Sequence, residues 1–117
     1  MLFRSKPNGY WKNYYDNGML KSEGNRKEFQ LDSTWKFFRV DGSLQQSIEY
    51  QANVKTGSEI YYDSLGRKER MVTYKSDVKD GQAAEYFPSG NLKTSFTYVN
   101  NQVEGKYFEY EIGRAHV

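Results

Sequence analysis

Hydrophobic and polar residues alternate in recurring short runs. Leu44, Ile48 and Tyr50 stand at even spacing with Gln45, Ser47 and Glu49 between them, and Leu92, Phe96 and Tyr98 repeat the arrangement around Lys93, Ser95 and Thr97. A period of two places one set on each face of a β-strand. Runs such as Trp35-Lys36-Phe37-Phe38 and Ile60-Tyr61-Tyr62 precede them and put large side chains on both faces, in the residue types that suit a pleated surface. Asp16-Asn17-Gly18, Val40-Asp41-Gly42 and Pro88-Ser89-Gly90 separate the runs and read as hairpin turns, with glycine available for positive φ. No stretch holds an i, i+3, i+4, i+7 apolar stripe long enough for a helix.

The runs repeat. Gly18, Gly42, Gly66 and Gly90 are each 24 residues apart, and a second column, Gly9, Gly57, Gly81 and Gly105, keeps the same period with Ser33 in its missing place. Tyr14, Phe38, Tyr62, Tyr86 and Tyr110 form an aromatic column, Tyr50, Tyr74 and Tyr98 another with Arg26 as the exception. Leu20, Leu44, Lys68 and Leu92 form a third, and Gly24, Ile48, Val72 and Phe96 a fourth. The array spans residues 8–110, with units 9–32, 33–56, 57–80 and 81–104 and a partial fifth unit 105–110 after a lead-in at 1–7. The pattern predicts an all-β, single-layer antiparallel β-meander of repeated hairpins, with turns at 16–18, 40–42, 64–66 and 88–90. It also predicts Phe38, Tyr62 and Tyr86 stacked along one face, each cross-strand aromatic pair contributing about 0.2–1 kcal/mol.

Composition narrows the class. Of 117 residues, 37% are hydrophobic, yet 11 Tyr, 7 Phe and 2 Trp supply rings that a disordered chain of net charge +2 would not carry. The absence of Cys rules out disulfides and thiolate metal sites. No apolar run approaches the roughly 18 residues of a transmembrane helix, and Arg4, Ser5, Lys6 and Pro7 leave no room for the apolar region of a signal peptide, so the default location is cytoplasmic. Arg114 stands where the next turn glycine falls due, and residues 111–117, including the single histidine, His116, read as a non-native tail.

The pattern Gly-x-x-x-x-Tyr, then Asp-x-x-Gly or Pro-Ser-Gly, then Asn-Leu-Lys, then Tyr-x-Asn-x-x-x-x-Gly, clearest from Gly81 to Gly105, resembles the MORN repeat family, and most of all its bacterial antitoxin-like variant. With Ser33, Gly24 and Arg26 off the motif, the first hairpin reads as a cap or worn unit. The resemblance implies an elongated meander that acts as a scaffold, docks proteins or lipid headgroups, and carries no intrinsic catalysis.

Candidate chemistry is sparse. A single histidine in the tail excludes histidine-based catalysis, and Glu59, Asp63, Asp80, Glu85 and Glu109 read as solvated strand faces and turn formers rather than paired catalytic carboxylates. Asp32, Asp77 and Asp80 do not match a calcium loop, and no phosphate-cradling glycine loop is present, so neither a metal nor a cofactor is expected. Arg67-Lys68, Arg70, Tyr74 and Lys75 interleave cations with rings as single-strand binders do, but 17 Lys and Arg against 15 Asp and Glu argue against nucleic acid, and an anionic lipid surface is the better alternative. The expected function is protein docking through rings with no second layer above them: Trp11, Trp35, Phe37 and Tyr61. The strand at 105–110 is further expected to leave an open edge for self-association.

Overall fold

The computed structural model describes residues 8–110, so the lead-in at 1–7 and the tail at 111–117 lie outside the described residues. Nine strands follow one another: β1 (Gly9–Tyr14), β2 (Leu20–Lys27), β3 (Gln30–Phe38), β4 (Leu44–Gln51), β5 (Val54–Tyr62), β6 (Lys68–Lys75), β7 (Val78–Tyr86), β8 (Leu92–Val99) and β9 (Gln102–Glu109). Each pairs antiparallel with the next, so spatial order equals chain order and the molecule is an open single-layer meander of 53 × 31 × 18 Å.

The four expected turns join β1–β2, β3–β4, β5–β6 and β7–β8. In each, the glycine amide donates to the carbonyl three residues back, from Gly18 to Tyr15 at 3.0 Å through Gly90 to Phe87 at 2.8 Å. The glycine then turns left-handed, as at Gly42 with φ 95°, which closes a three-residue loop into the register of the next strand. The other four turns are two-residue loops, Glu28-Phe29, Ala52-Asn53, Ser76-Asp77 and Asn100-Asn101, with positive φ at both positions, the type I′ geometry that matches strand twist.

These second turns also tie successive units together. Asn53 accepts from the Leu31 amide through Oδ1 at 2.8 Å and donates its own amide to the Leu31 carbonyl at 3.0 Å. Asp77 does the same to Lys55, and Asn101 to Lys79, all within 2.8–2.9 Å. On the opposite edge, Arg39 Nη2 donates to the Tyr62 carbonyl at 2.6 Å and the Tyr15 hydroxyl to the Phe38 carbonyl at 2.6 Å. The array is thus stitched along both long edges.

The second glycine column marks bulges rather than turns. Between Ile48↔Glu59 and Tyr50↔Lys55, β4 advances two residues while β5 advances four, and the excess is absorbed at Gly57 with φ 115°. Ser33 takes the equivalent place with φ 63° despite its side chain.

The aromatic column of Phe38, Tyr62 and Tyr86 departs from expectation. Its members sit on alternate strands, about 10 Å apart at a strand spacing of about 4.8 Å, too far for direct stacking. Cross-strand partners from the leucine column fill the gaps, in the pairs Tyr14↔Leu20, Phe38↔Leu44, Tyr62↔Lys68 and Tyr86↔Leu92.

The core is one row crossing the sheet on a single face: Trp11, Gly24, Trp35, Ile48, Glu59, Val72, Ala83, Phe96 and Tyr107. Large and small alternate along it, with two indoles flanking Gly24 and Phe96 beside Ala83, so the row fills without a second layer. Gly24, Trp35, Ile48, Glu59 and Ala83 are its buried members.

Candidate functional site on the aromatic face

Two further rows flank the core row on the same face. Toward the glycine turns run Asn13, Ser22, Phe37, Gln46, Tyr61, Arg70, Glu85, Thr94 and Glu109, and toward the type I′ turns run Tyr50, Lys55, Tyr74, Lys79, Tyr98 and Val103. All four predicted docking residues, Trp11, Trp35, Phe37 and Tyr61, therefore share this face. Their roles differ. Trp35 is 2% exposed, donates its indole N–H to the Asn25 carbonyl at 2.7 Å, and lies 6.4 Å from the Phe37 ring, centroid to centroid. It is floor, and has no ring surface to give a partner. Trp11, Phe37 and Tyr61 are half-buried. Arg26, in the place of an expected tyrosine, holds its guanidinium 4.7 Å from the Trp11 ring and 5.4 Å from that of Trp35, which is how the irregular first unit closes over Gly24.

Glu59 corrects the expectation of a solvated carboxylate, since it is 1% exposed. Its Oε2 accepts from Gln46 Nε2 at 3.0 Å, from the Tyr61 hydroxyl at 2.9 Å and from Lys55 Nζ at 3.4 Å. A buried carboxylate persists only when paired and hydrogen-bonded in this way. The surrounding phenols respond. Burial, followed by the charge and hydrogen bond of Glu59, pushes Tyr74 up to about 12. Burial and the same carboxylate raise Tyr61 and Tyr50 as well.

The lysines of the flanking row lie against rings, Lys55 Nζ 4.8 Å from the Tyr74 centroid and Lys79 Nζ 5.2 Å from that of Tyr98. Arg70 stacks 4.2 Å over Tyr61. Between these walls, beside Val72, a cup of about 160 Å³ opens, lined by Glu59, Tyr61, Arg70, Tyr74, Lys79, Glu85, Phe96 and Tyr98. A wider polar hollow of about 450 Å³ adjoins it through Arg70 and Glu85 and extends to Asp63, Lys68, Glu69 and Lys93.

The basic and aromatic run read as a nucleic-acid platform is divided. Arg67 pairs with Asp63 at 2.9 Å beside a turn, while Arg70 and Tyr74 belong to the cup. Asp77 is a turn clasp. Among the described residues no group of three or more His, Asp or Glu side chains is disposed to hold a metal ion, and no helix is long and apolar enough to cross a membrane. Sequence reasoning missed the cup, because its walls come from β5, β6, β7 and β8 and meet only through the pairing register.

Two stretches, residues 7–28 and 79–100, match the family model of the MORN repeat variant. They begin 79 − 7 = 72 residues apart, three periods of 24, so both matches fall in one phase of the repeat. No curated protein matches the chain.

Proposed function

We propose that this chain is a non-catalytic repeat module that docks another protein on its aromatic face. One observation carries the reading: the rings of Tyr74, Phe96 and Tyr98 stand half-buried around the cup, with no second layer above them among the described residues. Exposed rings on a rigid platform, next to polar groups of both signs, are the makings of a protein-binding centre. The MORN repeat variant match supports a binding or scaffold role. An antitoxin-like role is the special case in which the partner is a toxin, and regulation of a fused enzyme is the case in which the partner is in the same chain.

Anionic lipid and nucleic acid form the second reading. The face disfavours them, because the carboxylates of Glu59 and Glu85 stand among Arg70 and Lys79, so the two signs alternate and no purely basic patch meets a polyanion. A fragment-display selection against the native chain, counter-screened on Tyr98→Ala, tests both. Binders that lose affinity with Tyr98→Ala support docking on this face. Binders indifferent to Tyr98, or salt-steep binding to anionic vesicles or single-stranded DNA instead, overturn it.

A further inference from the structure

Arg70 on β6 and Glu85 on β7 are direct cross-strand partners on the aromatic face, a placement in which opposite charges ordinarily pair. They do not. Among the described residues the ion pairs are Lys55–Glu59 and Arg67–Asp63. Arg70 lies instead over the Tyr61 ring, and Glu85 Oε1 accepts from the Thr94 hydroxyl at 2.7 Å. Each charge is steadied by a third residue, and both line the cup. With its Cζ 4.2 Å from the Tyr61 centroid, the guanidinium has N–H groups to offer a planar acceptor, and the carboxylate of Glu85 keeps a second oxygen for a donor.

The size of the cup limits the ligand. At about 30 Å³ per water, 160 Å³ equals about five waters, well below the roughly 300 Å³ at which small-molecule pockets begin. The cup itself has room for one aliphatic side chain, and the rest of the occupant lies in the wider hollow beside Arg70 and Glu85. The occupant must then bring an apolar side chain, an anion and an N–H donor within a few ångströms of one another. An internal extended segment meets this poorly, because its same-side groups come from residues i and i+2, about 6.8 Å apart and too far to share one cup. A C-terminal residue carries all three groups on one Cα.

We propose that the cup captures the C-terminal residue of a partner polypeptide. The terminal carboxylate sits on Arg70 with Lys79 near it, the last N–H on Glu85, and the apolar side chain on Val72 and Phe96. Carboxyl-terminal capture is an established mode of peptide recognition. The proposal rests on the docking reading of this face and names what it docks.

The test is an amide chemical-shift titration of the whole chain with the peptide Gly-Ser-Gly-Ser-Ala-Leu as free acid, the same peptide amidated at its C-terminus, and free leucine. The free acid is expected to give saturable shifts at Arg70, Val72 and Glu85 with a dissociation constant near about 1 mM, the amide to bind about tenfold more weakly, and free leucine more weakly still. Arg70→Gln, at an exposed position, is expected to erase the difference between acid and amide while the rest of the spectrum stays in place. The amide binding as tightly as the acid, free leucine doing so, or no saturable shift with the acid up to about 10 mM overturns the proposal. If that happens while displayed fragments still require Tyr98, docking stands and terminal capture falls. If the fragments ignore Tyr98, the docking reading falls first.

Discussion

The indole of Trp35 occupies the space in which a side chain at Gly24 would stand, so that a Cβ there would meet the ring itself. Glycine at this point is therefore a packing requirement of the strand opposite. Gly24→Val should destabilise the chain by about 1–3 kcal/mol through overpacking, and Trp35→Ala by about 3–5 kcal/mol through the cavity left behind. Urea midpoints followed by circular dichroism check both. Equal losses from Trp35→Ala and Trp11→Ala would show that the burial of Trp35 contributes little.

That relationship also marks where the sequence stops being legible. The 24-residue period, the hairpins and the four glycine turns follow from local chemistry, since a turn needs its φ wherever it lies. Packing across strands does not. Read down its own column, Gly24 looks like a worn copy of Ile48, Val72 and Phe96, and only the pairing register shows that Trp11 and Trp35 supply the volume it lacks. Glu59 escaped for the same reason. Its partners Gln46, Tyr61 and Lys55 lie 13, 2 and 4 residues away along the chain, and they meet one carboxylate oxygen through the Gln46↔Tyr61 pairing on one side and the bulge before Lys55 on the other.

Glu59 should be more costly to remove than an acidic residue on a strand normally is. Glu59→Ala strands the Tyr61 hydroxyl, the Gln46 amide and the Lys55 ammonium. Breaking a fully buried pair costs about 3–5 kcal/mol, and because the Lys55 side chain is 30% exposed the expected loss here is nearer about 2–3 kcal/mol. Glu59→Gln keeps an acceptor for Tyr61 and should lose less than half of that. Equal losses for the two variants in thermal or urea unfolding would mean that the charge carries the whole contribution and that neither the volume nor the neutral acceptor matters.

Tyr74 gives the fold a measurable alkaline limit. Its folded-state value of about 12 stands above the ordinary phenol value of 10.0, chiefly through burial and then through Glu59. Below pH 10 both folded and unfolded chains keep the proton, and the contribution of Tyr74 to stability is complete. Between pH 10 and about 12 the unfolded chain ionises first, so that contribution drains away as the pH rises and is gone above the folded-state value. Tyr74→Phe should flatten the fall of stability over this window and remove the latest component from the phenolate absorbance titration of the folded protein. Superimposable titrations of the two proteins would place Tyr74 among ordinary phenols.

The inter-unit clasps make the sharpest prediction, because two effects coincide in one residue and can be separated. Asn53 and Asn101 each hold φ 70° and Asp77 holds φ 68°, while the side-chain oxygen of each caps a backbone amide of the preceding unit. Asn53→Ala should lose both the hydrogen bond, about 0.5–1.5 kcal/mol, and the tolerance of left-handed backbone, about 1–2 kcal/mol. Asn53→Gly should lose the hydrogen bond alone. Phe29 occupies the same turn position in the first hairpin at φ 66°, 52% exposed, with a large side chain in a conformation that costs about 1–2 kcal/mol. Phe29→Gly should therefore stabilise the array by about 1 kcal/mol, the opposite sign from glycine at position 53. Unfolding midpoints for the three variants decide it. A loss at Phe29→Gly would mean that the ring makes a contact worth more than the backbone strain it imposes.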